Sequence, residues 1–329
     1  MSKTSIDGKD AGRALCRLSG ATMGTRYTAA FHAPPGIDEK ALAVRLAAAV
    51  GAVDDQMSNW KEDSDLSRLN RATQDTWVPV SRNLAALLAR ALEIGGETHD
   101  AFNIGVGDLV DRWGFGPSGG QRASHPGAIR SPGASPCRPA AELIEMDEQR
   151  CRVRKRGAVS LDLCGIAKGF GADELGRVLN EHGIDAWLVG IDGEMRARGH
   201  KPDGSPWAIA LEAPDPERRA AMGVIELADA AVATSGDYRR WAEVDGARIS
   251  HTMDPRTGAP LVSGVASVTV VAKTCADADA YATALMVLGP DAGRECAQRL
   301  GLDALFVIRD GEALRAVGVG RFADREAPD

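Results

Sequence analysis

The chain has 329 residues, of which 44% are hydrophobic and 26% charged, and its formal net charge is −7. Such a chain forms one large domain or two modest ones, and an acidic balance without a Lys/Arg stripe argues against nucleic-acid binding. No stretch reaches the roughly 18 apolar residues of a membrane helix, and residues 1–20 lack a signal-peptide run, so we expect a cytoplasmic protein. The 6 cysteines show no CxxC pair and predict neither a zinc site nor disulfides.

The predicted elements alternate irregularly between helices and strands. Helical spacing of apolar residues predicts helices over 38–57, 84–98, 168–181 and within 274–290. Short apolar runs predict strands over 27–31, 159–163, 187–191, 207–211, 268–272 and 305–308. Most strands follow one another without an intervening helix, which favours an α+β fold with largely antiparallel sheets flanked by helices. Residues 117–139 are rich in Gly, Pro, Ser and Ala and are interpreted as a mobile insertion.

The segment TCADADAYATALMVLGP, Thr274–Pro290, combines an apolar helix with two aspartates and a threonine. Thr274 is a candidate N-cap that would place Asp277 in the first turn, where negative charge suits the helix dipole. Asp279 and Thr283 fall on one face of a helix that is otherwise apolar nearly all round and therefore buried. A buried carboxylate requires a cationic partner, and a salt bridge and a metal ion are equally open at this point.

The segment SLDLCGIAKGFGADEL, Ser160–Leu175, runs from a predicted strand through glycines into a helix, a place where anionic ligands are commonly held. Lys168 would offer a point charge to a phosphate, and Gly165 would let a backbone carbonyl approach a ligand or metal closely. Neither familiar nucleotide-binding fingerprint is present. A glycine-rich turn with a solvated lysine is the alternative.

Two aromatic segments have both a functional and an ordinary interpretation. Four glycines surround the aromatic residues of Ala101–Gly116, AFNIGVGDLVDRWGFG, which suits a planar ligand ring but equally an ordinary core. In Met57–Asn70, MSNWKEDSDLSRLN, Ser64 can cap a turn, and Trp60 could cover either a ligand or the core.

The loop Ile249–Pro260, ISHTMDPRTGAP, contains a turn at Asp254-Pro255 and Gly258 that places His251 at the end of the preceding strand. An exposed histidine beside a loop is a candidate general base, although most such histidines have no catalytic role.

In this order the segments resemble the ApbE family, the FAD:protein FMN transferases. The resemblance runs from about Ser19 to Ile308 and rests on seven stretches: Met23-Gly24-Thr25, 57–70, 101–116, 160–175, ATSGDY at 233–238, 250–260 and 274–289. It implies an α+β, T-fold-like architecture with a flavin nucleotide bound in a cleft. The expected organisation is an extension over 1–17, the transferase domain over 18–310 with its insertion, and a tail over 311–329.

The resemblance also implies a set of site residues. A magnesium ion would be held by Asp279, Thr283 and a backbone oxygen at Gly165, an oxygen-only set that suits a hard cation shared with substrate phosphates. Contacts to FAD are implied for Met23, Trp60, Ala101, Phe102, Asn103, Asp162, Lys168 and His251. Three positions depart from the family pattern: Cys164 replaces a usual glycine, Asn103 a common aspartate, and Asp192-Gly193-Glu194 a frequent double glycine.

The implied reaction transfers FMN from FAD to a threonine or serine hydroxyl of an acceptor flavoprotein and releases AMP. His251 is a hypothetical base for the attacking hydroxyl. Asp279, as a ligand of the metal, is the residue whose replacement is expected to reduce activity most. Two other functions remain open: a magnesium-dependent FAD pyrophosphatase that yields FMN and AMP, and a non-catalytic FAD-binding protein. Because no lipobox leader is seen, the acceptor is expected in the cytoplasm or at the cytoplasmic face of a membrane complex.

Overall fold

A computed structural model describes residues 14–117, 135–215, 218, 220–238, 241–244, 247–311 and 313–323. The strands are β1 (Leu15–Thr22), β2 (Thr25–His32), β3 (Val78–Pro79), β4 (Ile144–Asp147), β5 (Arg152–Lys155), β6 (Trp187–Ile191), β7 (Glu194–Arg198), β8 (Trp207–Glu212), β9 (Ala221–Leu227), β10 (Ala230–Gly236), β11 (Trp241–Val244), β12 (Ala247–Ser250), β13 (Met253–Asp254), β14 (Ala259–Pro260), β15 (Val265–Ala272), β16 (Asp303–Asp310) and β17 (Ala313–Val319). The α-helices are α1 (Glu39–Met57), α2 (Asp65–Arg71), α3 (Arg82–Glu97), α4 (Gly107–Arg112), α5 (Ala140–Leu143), α6 (Ala167–Glu181), α7 (Cys275–Leu288) and α8 (Pro290–Leu300).

The main sheet has eight strands in the order β1-β2-β6-β7-β10-β15-β16-β17, and every neighbouring pair is antiparallel. The predicted α+β fold with antiparallel sheets is therefore confirmed. β15 is buried along nearly its whole length, because Val268 and Val270 join the core under α7 while Val271 joins the cluster under the β8–β9 hairpin. A strand covered on both faces appears in the sequence as a continuous apolar run.

The two ends of the domain differ from their expected boundaries. Residues 15–17, assigned to an N-terminal extension, belong to β1, and residues 1–13 lie outside the described part. The expected C-terminal tail contributes β17, which pairs with β16 from Ala304↔Val319 to Asp310↔Ala313. Because β17 completes the edge of the main sheet, the fold extends beyond residue 310.

The predicted strand 159–163 is wrong. These residues are partly buried, but their backbone groups bond to a side chain and to a 3-10 turn: Leu161 N–H donates to Asn70 Oδ1 at 2.8 Å, and Asp162 N–H donates to the Ile104 carbonyl at 2.8 Å. An apolar run whose backbone partners are a side-chain amide and a loop has the composition of a strand without its pairing.

Helix α7 is the buried helix predicted from the apolar segment. The predicted cap is confirmed, since the Thr274 hydroxyl accepts the Asp277 N–H at 3.2 Å. Asp277 lies on the outer side of the helix and pairs with Arg90 of α3 at 2.8 Å. The helix packs against α6, β10 and β15, so its face with Asp279 and Thr283 is directed into the protein interior.

Helices α6 and α7 cross closely where α6 begins. Gly169 allows this approach, because a Cβ at that position would overlap the carbonyl group of Cys275. The crossing brings the first turn of α6 to the carboxylate of Asp279.

Only part of the predicted 117–139 insertion can be placed, because residues 118–134 lie outside the described part of the chain. Its last residues are attached to the domain: Cys137 N–H donates to the Pro255 carbonyl at 2.7 Å. Among the described residues, no helix has the length and apolar character needed to cross a membrane.

Candidate functional site

A cavity of about 780 Å³ lies between the main sheet, the start of α6 and the helix α7. All the residues implied by the family resemblance line it: Met23, Trp60, Ala101, Phe102, Asn103, Asp162, Gly165, Lys168, His251, Asp279 and Thr283. They come from segments spread over most of the chain. The fold therefore gathers the whole predicted set around one space of a size suited to a nucleotide-type ligand.

Among the described residues, Asp279 is a buried carboxylate without a salt bridge. Its side chain is 4% exposed, and its Oδ2 accepts the Gly169 N–H at 3.0 Å. No Lys, Arg or His in the described part of the chain forms an ion pair with it; Lys168 pairs with Glu194 instead. Burial, reinforced by the negative charge of Glu194 and opposed by Lys168, raises the pKa of Asp279 to about 7. Of the two partners left open by the sequence, the salt bridge is not found.

When Asp279 is ionised, the charges around it leave one negative charge uncompensated. Lys168 Nζ lies 2.6 Å from Glu194 Oε1, and Arg196 lies 2.7 Å from Asp173. These two cations balance two carboxylates, and Asp279 remains. An ionised carboxylate in a dry interior is costly unless a cation joins it, so the cavity floor favours a bound cation.

The oxygen atoms near Asp279 fit a hard divalent cation. The Thr283 hydroxyl, one turn along α7, faces the loop at Gly165 so closely that a Cβ there would lie 3.1 Å from Thr283 Oγ1. Within the described ranges no cluster of three or more His, Cys, Asp or Glu side chains could hold a metal. A metal here would therefore combine one carboxylate with hydroxyl and main-chain oxygens and keep water or substrate oxygens, as Mg²⁺ does.

The beginning of α6 provides the positive side of the cavity. Ala167 and Lys168 line the cavity. The Ala167 N–H donates to the Leu163 carbonyl at 2.8 Å and the Gly169 N–H to Asp279 Oδ2 at 3.0 Å, so the Lys168 ammonium supplies the positive charge here. Burial lowers the pKa of Lys168, but the negative charges of Glu194 and Asp279 have the larger effect, so the pKa is raised overall. A charged lysine at a helix N-terminus is a suitable environment for phosphate oxygens.

The opposite wall carries aromatic and polar side chains. Trp60 is 65% exposed at the rim, whereas Phe102 is buried against the loop at Gly165. The Asp162 carboxylate accepts hydrogen bonds from Asn59 Nδ2 at 2.9 Å and from the Cys164 N–H at 2.8 Å. Loss of hydration on burial raises the pKa of Asp162. This wall combines an apolar surface with a fixed carboxylate.

Asn103 has a structural task in addition to lining the cavity. Its Oδ1 accepts the Gly105 N–H at 2.8 Å, and its Nδ2 donates to the Arg138 carbonyl at 3.0 Å. The amide thus orders the short 3-10 turn Ile104–Val106, and one remaining N–H hydrogen is left for a ligand.

His251 follows β12 directly, as predicted, and its ring meets Phe115 edge-on at a centroid distance of 6.4 Å. The predicted turn is present, since Gly258 N–H donates to the Asp254 carbonyl at 2.9 Å. Arg256 binds the Asp254 carboxylate at 2.9 Å and donates to the Val287 carbonyl at 2.6 Å. The histidine loop is thereby attached to the end of the helix that carries Asp279.

Two residues of the cavity floor were not assigned from the sequence. Glu194, which holds Lys168, lies in the Asp192-Gly193-Glu194 stretch that was noted only as a departure from the family pattern. Ser235 lies within ATSGDY, and its Oγ is 3.1 Å from Thr283 Oγ1. Each sits at or near the end of a strand next to a glycine, a weak signal that becomes informative only once the strands are placed.

Comparison with known proteins gives one consistent result. Residues 23–306 match the model of the ApbE family. The FAD:protein FMN transferase of Vibrio cholerae is 37% identical over 308 residues, covering 93% of this chain and 91% of that protein. The FAD:protein FMN transferase of Escherichia coli is 35% identical over 303 residues, covering 91% and 85%. The apo crystal structure of the Pseudomonas stutzeri flavinyl transferase ApbE superposes with a TM-score of 0.83 at 35% identity, covering 94% and 96%.

Proposed function

Because the chain belongs to the ApbE family, we propose that it is an FAD:protein FMN transferase that depends on Mg²⁺. The acceptor is a flavoprotein with a threonine or serine hydroxyl. That oxygen forms a bond to the FMN-side phosphorus of FAD, the bond from this phosphorus to the bridging oxygen breaks, and AMP leaves with that oxygen. The hydroxyl proton passes to a base of the enzyme.

The observation that carries this proposal is the unpaired, buried carboxylate of Asp279 in the same cavity as Lys168. Because Lys168 is already paired with Glu194, a divalent cation at Asp279 would leave one net positive charge on the cavity floor to attract the pyrophosphate. Without a salt bridge in the described part of the chain, an ionised carboxylate at this depth lowers the stability of the fold, and a bound cation would offset this cost.

Asp279, Thr283 and the Gly165 backbone are the residues that would hold Mg²⁺. The ion would neutralise phosphate charge and stabilise the charge that develops on the leaving group.

The remaining cavity residues bind and orient the substrate. The Lys168 ammonium binds phosphate oxygens, and Phe102 and Trp60 supply flat apolar surface for the ring systems. His251, held by a loop attached to α7, is our candidate to accept the proton of the incoming hydroxyl. Holding nucleophile and phosphorus in line is the main contribution of such a site.

The test is to incubate the purified protein with FAD, Mg²⁺ and a small flavoprotein domain carrying an acceptor threonine. Intact mass spectrometry of the acceptor and an assay of AMP are then read together. We expect one FMN added per acceptor, lost with EDTA and in Asp279→Ala. The matched control is Asp277→Asn, on the same helix but paired with Arg90 outside the cavity, which should retain transfer.

Other outcomes would identify other functions. AMP and free FMN with an unmodified acceptor, for every acceptor domain tried, would indicate a pyrophosphatase. FAD binding without any AMP would indicate a binding protein. Activity of Asp279→Ala at low Mg²⁺ would contradict the metal assignment.

A further inference from the structure

We infer that Ser235 is a positioning residue of the cation site: its hydroxyl accepts the hydrogen of the Thr283 hydroxyl and so leaves the Thr283 lone pairs for the cavity. The inference rests on the cation site proposed above. Ser235 Oγ and Thr283 Oγ1 lie 3.1 Å apart, and both residues line the cavity. Nothing in the sequence motif alone gives Ser235 this role.

The orientation of Thr283 is unusual for a threonine inside a helix. Such a hydroxyl commonly donates to the carbonyl group three or four residues earlier in the same helix. In α7 the carbonyl four residues earlier is that of Asp279, and within the described part of the chain the Thr283 hydroxyl instead shares a hydrogen bond with the Ser235 hydroxyl. The hydroxyl is therefore turned away from its own helix toward β10 and the cavity.

The direction of this hydrogen bond follows from the chemistry of a hydroxyl ligand. A hydroxyl that offers a lone pair to a cation has its single hydrogen left to donate. The positive charge of the bound cation makes the ligand hydroxyl a stronger hydrogen-bond donor, and such a donor needs an acceptor. Ser235 Oγ, at 3.1 Å, is the acceptor present. Its own hydrogen is then available to an anionic oxygen in the cavity.

Ser235 is held by strand pairing on one side. β10 pairs with β15, where Ser235 is opposite Val268, whereas the pairing of β10 with β7 covers Ala230–Val232. The preceding residue, Thr234, makes a hydroxyl pair with Thr269 of β15 at 2.8 Å. Ser235 is thus placed by the sheet, and a ligand oriented by a fixed partner binds its metal more tightly than a free rotor.

The test uses Mn²⁺ as the probe ion, with free Mn²⁺ measured by electron paramagnetic resonance in the absence of FAD. Loss of an outer-shell partner typically weakens metal binding by about 10-fold to 100-fold. We expect Ser235→Ala to raise the Kd for Mn²⁺ by about 10-fold, at the low end of that range because the lost partner is neutral. Ser235→Thr, which keeps a hydroxyl, should restore binding. The matched control is Thr76→Val, which removes the exposed hydroxyl pair between Thr73 and Thr76, neither of which lines the cavity, and should leave the Kd unchanged.

The outcomes separate this inference from the function it rests on. If the wild-type protein binds Mn²⁺ and Asp279→Ala does not, but Ser235→Ala binds like the wild type, the role of Ser235 is refuted and the cation site stands. Binding by Ser235→Thr as weak as that of Ser235→Ala would also refute it, because the effect would not come from the hydroxyl. If wild-type binding does not depend on Asp279, the cation site itself fails, and the inference fails with it.

Discussion

Replacing Asp279 with asparagine is expected to stabilise the metal-free protein at alkaline pH while abolishing its stabilisation by Mg²⁺. The carboxyl group is 4% exposed and has no salt bridge within the described ranges. Burial first, and Glu194 second, raise its pKa from 3.8 to about 7. Asparagine keeps the shape and an oxygen acceptor for the Gly169 N–H but carries no charge, so the desolvation cost is removed.

The pH dependence follows from proton linkage. In the unfolded chain the Asp279 carboxyl ionises near pH 4, whereas in the folded protein it ionises near 7. Between these values the folded state binds the extra proton, so the free energy of unfolding falls as the pH rises, and above about 7 the loss is complete. A shift of about three pKa units corresponds to at most about 4 kcal/mol.

The assay is urea unfolding followed by circular dichroism, in EDTA, at pH 8 and at pH 4.5. Asp279→Asn should be more stable than the wild type at pH 8, by an amount between about 1 and 4 kcal/mol, and the difference should shrink at pH 4.5. Saturating Mg²⁺ at pH 8 should raise the stability of the wild type alone. Asp277→Asn, which loses a half-exposed ion pair with Arg90, should change stability by less than about 1 kcal/mol at either pH. A wild type as stable as Asp279→Asn at pH 8 in EDTA would refute the reasoning, since the carboxylate would then already be compensated.

Three further substitutions test the packing and the substrate contacts. Gly169→Ala should lower the free energy of unfolding by about 1–3 kcal/mol, because its Cβ would overlap the Cys275 carbonyl. Its control, Gly51→Ala, lies at a helical position with open space and should be neutral or stabilising. Equal effects of the two substitutions on urea unfolding would contradict the close crossing of α6 and α7. Lys168→Met should raise the Kd for FAD about tenfold or more, measured by flavin fluorescence; unchanged affinity would remove Lys168 from the phosphate site. His251→Ala should lower kcat for FMN transfer with little change in FAD affinity, and near wild-type turnover at saturating FAD and acceptor would exclude it as the base.

The sequence predicted the secondary structure best where local rules decide it. Four helices and five of the six strands lie where apolar spacing places them, and Thr274 caps α7 as expected. One failure occurred where the partner is distant, the other where the strand lacks an apolar pattern. Residues 159–163 have the composition of a strand, but Asn70, 91 residues away in the chain, takes the place of a strand neighbour. The strand β17 is exposed over Ala313–Arg315 and partly buried over Ala316–Gly318, without an alternating pattern, and only its pairing with β16 reveals it.

The candidate site shows the same division between what the sequence alone determined and what the tertiary structure decided. Helical periodicity by itself put Asp279 and Thr283 on one face of a buried helix, and the ordered motifs identified the family. Composition and spacing could not say whether Asp279 meets an arginine, a lysine or a metal, because the residues around it come from distant parts of the chain. Gly169, whose N–H donates to Asp279, is 110 residues away. Nor could they pair Thr283 with Ser235, 48 residues before it, or Lys168 with Glu194. Spacing along one helix is a local property of the backbone, whereas the charge balance around a buried carboxylate depends on which distant elements the fold brings against it.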